Sequence, residues 1–415
     1  MSIPDVRFRK EDFGYTLAFA SGTVGFYSEQ AGRMLLNGCT EQDLEACLLD
    51  EIPLERPFKL AGPLVAWIEL TRACNLPCKH CYISAGRARQ NELSYAELTS
   101  LLDQLKAQGV FCVVFLGGEP MMHPQFCEIV QYAHELGFVI SIGTNGTYIT
   151  EEIIERLPRQ ECYVSVSLDG IAYQKEIRKK STFEDIWQRL LLLKKHDIPT
   201  GIMTVMTDEN IGELHEILDL AIENGFYFGK TPFTPIGRGR HFRHLLPTPD
   251  KAASAVALEK KDDAHERRMM SETGLTFTKF FQQCYKLSAA IRQEFCGISL
   301  VYIQSDGEVF PCTTCASAGK YAAGNLREQT FAEIWENGFG AIRAIGFDDF
   351  KSCGSCDLSA SPYFCTSRCP VTSEVYTGDP LACGSTPFLK ESLRLAMKDE
   401  VTGLPRREPA LADEL

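Results

Sequence analysis

The chain has 415 residues with a net charge of −13, which argues against nucleic acid as a main partner because no basic face is evident to neutralise phosphates. Its hydrophobic content of 45% and charged content of 23% are ordinary for a globular protein, and its length suffices for one large domain and one or two small ones. The N-terminal residues lack the apolar stretch of a signal peptide. The longest apolar run, Val110 to Leu116, is too short to span a bilayer. We therefore expect a cytoplasmic protein with no membrane partner.

The N-terminal zone, residues 1–60, begins with a hairpin pattern. Apolar runs at 6–8, 15–20 and 23–27 surround the turn residues Ser21 and Gly22. Two short helical patterns follow, and three prolines then mark the link to the next zone. This pattern predicts a small N-terminal module.

From Leu64 to Arg240, short apolar strands alternate with amphipathic helices, among them 95–108 and 211–224. Repeated β–α units predict a parallel sheet with right-handed crossovers. Six units instead of eight predict an α/β fold of the partial (β/α)6 TIM-type barrel, over residues 61–283, with chemistry at the carboxyl ends of its strands. The predicted strands are 65–70, 110–116, 138–143, 163–168, 200–205 and 226–228.

Residues 284–390 form a third zone of clustered cysteines, turns and few helices. A helix is predicted from Phe388 to Lys398, so residues 391–415 hold the end of this helix and a polar tail. The chain has 17 cysteines, and in a protein that is neither small nor secreted such a number indicates metal binding more than disulfides.

Three cysteines directly follow the first predicted barrel strand: Cys74, Cys78 and Cys81. Three thiolates at this CxxxCxxC spacing can hold three irons of a [4Fe–4S] cluster and leave the fourth iron open, whereas structural zinc requires four closed ligands. The loop resembles that of the radical S-adenosylmethionine (SAM) family. The resemblance implies that SAM binds the open iron and that an electron from the cluster releases a 5′-deoxyadenosyl radical, which abstracts a substrate hydrogen.

Further segments at the predicted strand ends resemble SAM-binding motifs of the same family. Each alone fits an ordinary turn, a solvated charge or a core aromatic equally well, and their joint order is what supports a SAM site. The resemblance implies that the GGEP segment, Gly117 to Pro120, binds the amino group of SAM and that Tyr82, beside Cys81, packs on the adenine. The remaining polar groups are implied to contact the ribose and carboxylate of SAM. The implied SAM-binding residues are Tyr82, Gly117, Gly118, Glu119, Pro120, Asn145, Ser167 and Arg178.

The cysteines of the third zone resemble the SPASM extension of radical SAM enzymes, although the loop between Cys356 and Cys365 is longer than usual. The resemblance implies two auxiliary [4Fe–4S] clusters, one with an unassigned fourth ligand: Cys284, Cys315 or an open iron. A zinc ribbon formed by Cys353, Cys356, Cys365 and Cys369 is the alternative. The implied ligands are Cys296, Cys312 and Cys369 for the first auxiliary cluster and Cys353, Cys356, Cys365 and Cys383 for the second.

The resemblance implies a maturase that installs a thioether or carbon–carbon cross-link in a ribosomally synthesised peptide, with flavodoxin or ferredoxin as electron donor. Residues 1–60 resemble a PqqD-type module that captures a leader peptide by strand addition, and a plain cap on the barrel is the alternative. Two other functions stay open. One is a radical SAM enzyme that oxidises a protein side chain or modifies a small cofactor precursor of haem type, and the other is a non-enzymatic metal scaffold or redox sensor.

Overall fold

The computed structural model describes residues 6–49, 58–159, 162–272, 274, 276–353, 355–358 and 368–400. An N-terminal module comes first, with three antiparallel strands in the order β1-β2-β3 and two short helices. The predicted hairpin is confirmed as β2–β3, and the run at 6–8 becomes part of a third strand. The elements are β1 (Val6–Glu11), β2 (Gly14–Phe19), β3 (Val24–Tyr27), α1 (Glu29–Leu36) and α2 (Glu41–Leu44).

Six parallel strands then form the barrel, each at the place that the apolar runs predict. Helices cover the outer face of this sheet, and the open sheet confirms the partial barrel. Ser94 begins α3 with a capping box that it forms with Glu97. The elements are β4 (Val65–Glu69), α3 (Tyr95–Ala107), β5 (Cys112–Leu116), α4 (Phe126–Glu135), β6 (Val139–Thr144), α5 (Glu151–Glu155), β7 (Cys162–Ser167), α6 (Gln174–Arg178), α7 (Phe183–Lys195), β8 (Thr200–Met206), α8 (Ile211–Asn224) and β9 (Tyr227–Pro232).

Two long helices follow the barrel strands, α9 (Ala252–Glu272) and α10 (Phe277–Ile291). Alternate residues of each strand point to opposite faces, and α10 packs on the inner one, where the Phe281 ring lies 6.1 Å from that of Trp67. Its Phe277 ring lies 6.3 Å from that of Tyr163, at the start of β7. The helix therefore fills the end of the barrel away from the carboxyl ends of the strands.

The third zone extends the barrel sheet. Strand β10 pairs in parallel with β4, and two antiparallel strands continue outward to give a nine-stranded sheet in the order β12-β11-β10-β4-β5-β6-β7-β8-β9. The prediction of few helices in this zone was wrong, and the predicted boundary at 284 lies inside α10. The predicted C-terminal helix is confirmed. The elements are β10 (Leu300–Ile303), β11 (Glu308–Phe310), α11 (Thr313–Ala318), β12 (Gly324–Asn325), α12 (Phe331–Asn337), α13 (Gly340–Arg343), α14 (Pro370–Thr377) and α15 (Pro387–Glu400).

One hydrophobic core joins all three zones. It contains Ala18 and Phe26 of the N-terminal module, Val114 of the barrel's inner face, Phe280 of α10 and Cys312 of the third zone. A second core lies between the outer face of the sheet and helices α3, α4, α7 and α8. In the described part of the chain, no helix is long and apolar enough to cross a membrane.

Candidate active site

The cysteine loop, residues 74–81, leaves the carboxyl end of β4 and folds over the ends of the neighbouring strands. Two backbone hydrogen bonds close its base, from Cys74 N to Gly86 O at 2.9 Å and from Gly86 N to Arg72 O at 3.1 Å. Cys78 is buried, while Cys74 and Cys81 are half-buried. The structure therefore places the three predicted ligands together where the barrel fold puts chemistry.

Backbone N–H groups donate to two of these sulfurs: Ala85 N lies 3.3 Å from Cys81 Sγ, and Leu76 N lies 3.5 Å from Cys74 Sγ. Burial raises the pKa of Cys74 and raises the pKa of Cys78 to about 11, although the Arg178 charge opposes the shift at Cys78. At neutral pH these two thiols are protonated without iron, so iron must displace their protons on binding. The hydrogen bonds then favour the thiolate form.

The GGEP segment follows β5 and lies directly against the base of the cysteine loop. Gly118 N donates to Thr71 O and Glu119 N to Ala73 O, both at 2.8 Å. A Cβ at Gly118 would come within 2.1 Å of Ala73 O, and one at Gly117 within 2.4 Å of Thr71 O. The two glycines are therefore required for the close approach of these two segments.

Glu119 is fully buried and connects the end of β5 to the end of β6. Its carboxylate accepts hydrogen bonds from Asn145 N at 2.7 Å, from the Thr144 hydroxyl at 2.8 Å and from Met121 N at 3.2 Å. Burial raises the pKa of Glu119 to about 7, although these hydrogen bonds lower it. The carboxylate thus has a structural role that the motif resemblance does not reveal.

Asn145 also faces the cysteine loop. Its Nδ2 donates to Asn75 Oδ1 at 2.9 Å and lies 3.8 Å from Cys74 Sγ. The segment after β6, predicted to line the ribose side of SAM, therefore also supports the first cysteine.

Arg178 ends α6 beside the cysteine loop and is buried against the carboxylate of Asp169. Its Nε lies 2.6 Å from Asp169 Oδ2, and its carbonyl accepts a hydrogen bond from the Cys78 thiol at 3.8 Å. Burial alone would raise the pKa of Asp169, but Arg178 and His80 hold it below its usual value. Ser167 ends β7 nearby, half-buried. Arg178 thus has an internal partner, whereas the resemblance implies one on the cofactor.

His80 lies between two predicted ligands and is buried, with Nε2 3.4 Å from Asp169 Oδ2. Burial lowers the pKa of His80 to about 4 despite this carboxylate, so the ring is neutral at physiological pH. The side chain is thus buried against Asp169.

Arg238 is a site residue that the sequence pattern did not identify. It follows β9, and its Nη1 donates to Cys78 O at 2.9 Å while Nη2 donates to Ala85 O. Its own backbone N–H donates to Cys81 O at 2.9 Å. One arginine therefore fixes the second half of the cysteine loop. The glycines of segment 235–239 mark this part of the chain, but no sequence pattern shows that the Arg238 side chain donates to backbone carbonyls.

Tyr82 lies in a cleft of about 310 Å³ between the cysteine loop, the segment after β9 and the β10–β11 hairpin. Burial raises the pKa of the Tyr82 phenol, which is therefore neutral. The cleft is also lined by Arg72, Arg89, Gln304 and Phe310. Residues of the barrel loops and of the third zone thus line one polar opening.

The auxiliary cysteines divide into two places. Cys312 and Cys369 are the residues that begin α11 and α14, two helices in mutual contact. Cys353, Cys356 and Cys383 instead line a separate small cavity with Arg368 and Lys390. Cys365, the fourth predicted ligand there, lies outside the described residues. The two ligand sets implied by the SPASM resemblance stay a prediction, as does the zinc-ribbon alternative.

The thiols around Cys312 form a connected group. Hydrogen bonds from Cys296 and then Cys315 lower the pKa of Cys312, which favours its thiolate. Within the described ranges, no three His, Cys, Asp or Glu side chains are grouped so that they could hold a single metal ion. A cubane cluster spans a larger space than one ion and takes thiolate ligands of this kind.

Comparison with known proteins agrees with this geometry. Residues 68–221 match the family model of the radical SAM superfamily, and residues 295–357 match that of SPASM, an iron–sulfur cluster-binding domain. The mycofactocin maturase MftC of Mycobacterium ulcerans is 32% identical over 78% of this chain and 86% of its own. The AdoMet-dependent heme synthase of Methanosarcina barkeri is 28% identical over 80% of this chain and 98% of its own.

Among solved structures, Streptococcus suis SuiB bound to S-adenosylmethionine superposes with a TM-score of 0.69 at 19% identity, covering 92% of this chain and 98% of SuiB. SuiB bound to its precursor peptide SuiA superposes with the same TM-score of 0.69. These likenesses establish the fold. Together with the family models and the relative above 30% identity, they show that this chain belongs to the radical SAM superfamily and is an enzyme with a C-terminal SPASM domain, whose cofactors are SAM and iron–sulfur clusters.

Proposed function

We propose that this enzyme modifies a ribosomally synthesised precursor peptide by installing a thioether or carbon–carbon cross-link. The observation that carries the proposal is the similarity to the mycofactocin maturase, which extends over most of both chains. The N-terminal module adds support because it offers a small antiparallel sheet on which an extended peptide can add a strand.

The two edge strands of the N-terminal module, β1 and β3, differ in accessibility. The outer edge of β3 is partly occupied, since Leu49 N donates to Phe26 O at 2.8 Å. At the opposite edge, β1 carries Phe8, whose side chain is 62% exposed. We propose that a leader peptide pairs with β1 and covers Phe8, so that the core of the peptide reaches the barrel.

In this account the cysteine loop holds the first cluster through Cys74, Cys78 and Cys81. The fit rests on three thiols on one loop, with N–H groups directed at two of the sulfurs. When bound, the cluster and SAM supply the radical chemistry. The chain itself holds the loop in place through Arg238 and the GGEP segment, and it keeps Cys78 and His80 away from solvent.

For SAM itself, we propose contacts from the residues that surround the cysteine loop. Tyr82 offers its ring to the adenine at the cleft, and Gly117, Gly118 and Pro120 offer backbone beside the amino group. Asn145, Ser167 and Arg178 complete the polar side of the site, and Glu119 acts mainly by fixing the segments that carry them. The cleft of about 310 Å³ gives the peptide a way to the cofactor.

The test is anaerobic co-expression with each short peptide encoded beside the gene, followed by mass spectrometry of the peptides. We expect one peptide to lose hydrogen pairs with the native enzyme and to keep them with Cys78→Ala, because that variant lacks a ligand of the first cluster. Fragmentation then locates the bond. If SAM is cleaved but no peptide changes mass, the peptide proposal is wrong.

A second candidate function is modification of a haem-type tetrapyrrole, which the similarity to the AdoMet-dependent heme synthase favours. The same purified enzyme is incubated with SAM and a propionate-bearing iron porphyrin under reducing conditions. A change in porphyrin mass without any leader-dependent peptide product would favour this candidate over the maturase.

A further inference from the structure

The first auxiliary cluster has three ligands implied by the sequence and two cysteines, Cys284 and Cys315, that compete for its fourth position. The choice has chemical consequences, because an iron without a protein ligand can bind a substrate thiolate. The positions of these two cysteines in the structure differ clearly.

Cys315 lies in α11, three residues after Cys312. Cys312 is the extended N-cap residue of this helix, and the Sγ atoms of the two cysteines are 3.6 Å apart. Both residues are buried, with 1% and 8% of their surface exposed. The two thiols thus contact each other in the metal-free chain, and both can reach one cluster when their side chains turn apart to bind neighbouring irons.

The other two predicted ligands lie against this pair. The Cys296 thiol interacts with that of Cys312. Cys369 begins α14, which packs on α11, and its thiol interacts electrostatically with those of Cys312 and Cys315. Four cysteines therefore lie close together, with Cys312 and Cys315 buried and Cys296 and Cys369 half-buried.

Cys284 lies in the middle of α10, in the same hydrophobic core, but its thiol has other neighbours. Its Sγ lies 3.9 Å from Ser299 O, and the thiol that interacts with it is Cys112 of β5. The residue is fully buried in the core that α10 forms with the inner face of the barrel. Its side chain thus has a packing role, as expected of a buried cysteine.

We infer that Cys315 is the fourth ligand of the first auxiliary cluster, so that Cys296, Cys312, Cys315 and Cys369 bind all four of its irons. A cluster with four cysteine ligands has no open iron for a substrate thiolate and is confined to electron transfer. This inference does not depend on which substrate the enzyme modifies.

Among the described residues, Glu294 is a competing ligand close to Cys312. Its Oε1 has no hydrogen-bond partner and is buried, and the carboxylate lies near Cys312 and Arg368. Carboxylates suit harder metal ions than the irons of a cluster, and the Arg368 guanidinium supplies a neighbouring positive charge. Glu294→Gln therefore belongs in the test as a separate arm.

The test begins with a full-length variant in which Cys74, Cys78 and Cys81 are all alanine, so that only auxiliary clusters remain. Each of Cys315→Ala, Cys284→Ala and Glu294→Gln is added to it, and iron, sulfide and the electron paramagnetic resonance spectrum of the reduced protein are measured with and without a small thiol. We expect Cys315→Ala either to lose one cluster's iron or to keep it with a spectrum that the thiol shifts. Cys284→Ala and Glu294→Gln should match the parent.

The parent itself makes the inference falsifiable even if Cys315→Ala folds poorly. With four cysteine ligands its spectrum is unchanged by the thiol, and a thiol-induced shift in the parent would overturn the assignment. The assignment is equally overturned if Cys315→Ala keeps full iron with an unchanged, thiol-insensitive spectrum, or if Cys284→Ala or Glu294→Gln loses the cluster instead.

Discussion

At the scale of single residues, buried polar side chains hold the loops of the site together. Glu119 joins the ends of β5 and β6, Arg178 joins α6 to Asp169, and Arg238 joins the segment after β9 to the cysteine loop. The first two contacts join segments beside the cysteine loop to one another, and the third reaches the loop itself at Cys78 O. The cost is a set of ionisable groups in a buried environment.

Glu119 makes the stability of the metal-free protein depend on pH. Its folded-state pKa of about 7 lies above its usual value of 4.5, so the folded chain keeps a proton that the unfolded chain releases. The stability that this proton contributes is complete below about pH 4.5, decreases as pH rises and is lost above about pH 7. A pKa shift of this size corresponds to about 3 kcal/mol in the free energy of unfolding.

Glu119→Gln should therefore flatten this decrease in the free energy of unfolding, because Gln resembles the protonated acid. Chemical denaturation at about pH 4.5 and about pH 7.5 measures it. The matched control is Glu128→Gln, at an exposed carboxylate that pairs with Arg156. An equal pH dependence in wild type and Glu119→Gln would show that the buried carboxylate is not responsible.

At the scale of elements, the cysteine loop depends on its neighbours for its shape. Arg238 donates to the carbonyls of Cys78 and Ala85. The preceding residue, Gly237, has a φ of +55°, and a Cβ at this position would lie 2.0 Å from Tyr82 O. The segment after the last barrel strand thus contacts the loop after the first. Such supporting contacts orient metal ligands without binding metal.

Arg238→Gln should weaken retention of the first cluster about 10-fold, in the range typical when a group supporting a metal ligand is lost. The rate of iron loss to a chelator and the spectrum of the reduced first cluster measure this. Arg240→Gln is the matched control, since Arg240 is exposed and contacts His241. Equal rates of iron loss in the two variants would contradict the role given to Arg238.

At the scale of the whole molecule, α10 connects the N-terminal module, the barrel and the third zone through one core. Phe280 is fully buried in it, and its ring stacks 5.6 Å from that of Phe111. The same core includes Ala18 and Phe26 of the N-terminal module. The module therefore contributes to the stability of the enzyme as well as offering a sheet edge.

Phe280→Ala should lower the free energy of unfolding by about 3–5 kcal/mol, the usual cost of removing a buried aromatic ring. Because the core is shared, the module and the barrel should unfold in one transition that shifts as a whole. Thermal unfolding followed by far-ultraviolet circular dichroism and by a fluorescent probe in the module measures this, with Tyr148→Ala as a half-exposed control. Two transitions, of which only one shifts, would contradict the shared core.

Local patterns account for what the sequence alone could predict. The strands β4 to β9 are short apolar runs between polar helices, so their positions follow from composition, and the three cysteines of the loop follow from their spacing. The pairing of β10 with β4 joins residues more than 230 positions apart, such as Leu300 and Val65, and no local pattern specifies it. Arg238 was missed for a similar reason, since its partners are backbone carbonyls.

The choice between Cys284 and Cys315 shows the same limit. Both are cysteines at plausible distances along the chain, and spacing alone leaves both as candidate ligands. Their neighbours in the structure distinguish them, because Cys315 Sγ lies 3.6 Å from Cys312 Sγ whereas Cys284 Sγ lies 3.9 Å from Ser299 O.

The most direct test of the central claim is the formation of 5′-deoxyadenosine from SAM by the anaerobically reconstituted, chemically reduced enzyme. We expect steady formation by wild type and by the Cys39→Ala variant. Cys39 is a half-buried cysteine of the N-terminal module, and its replacement leaves the cysteine loop unchanged. Cys78→Ala should form none, since its first cluster lacks one of three ligands. Continued SAM cleavage by Cys78→Ala would contradict the assignment of the cysteine loop as the site of radical generation.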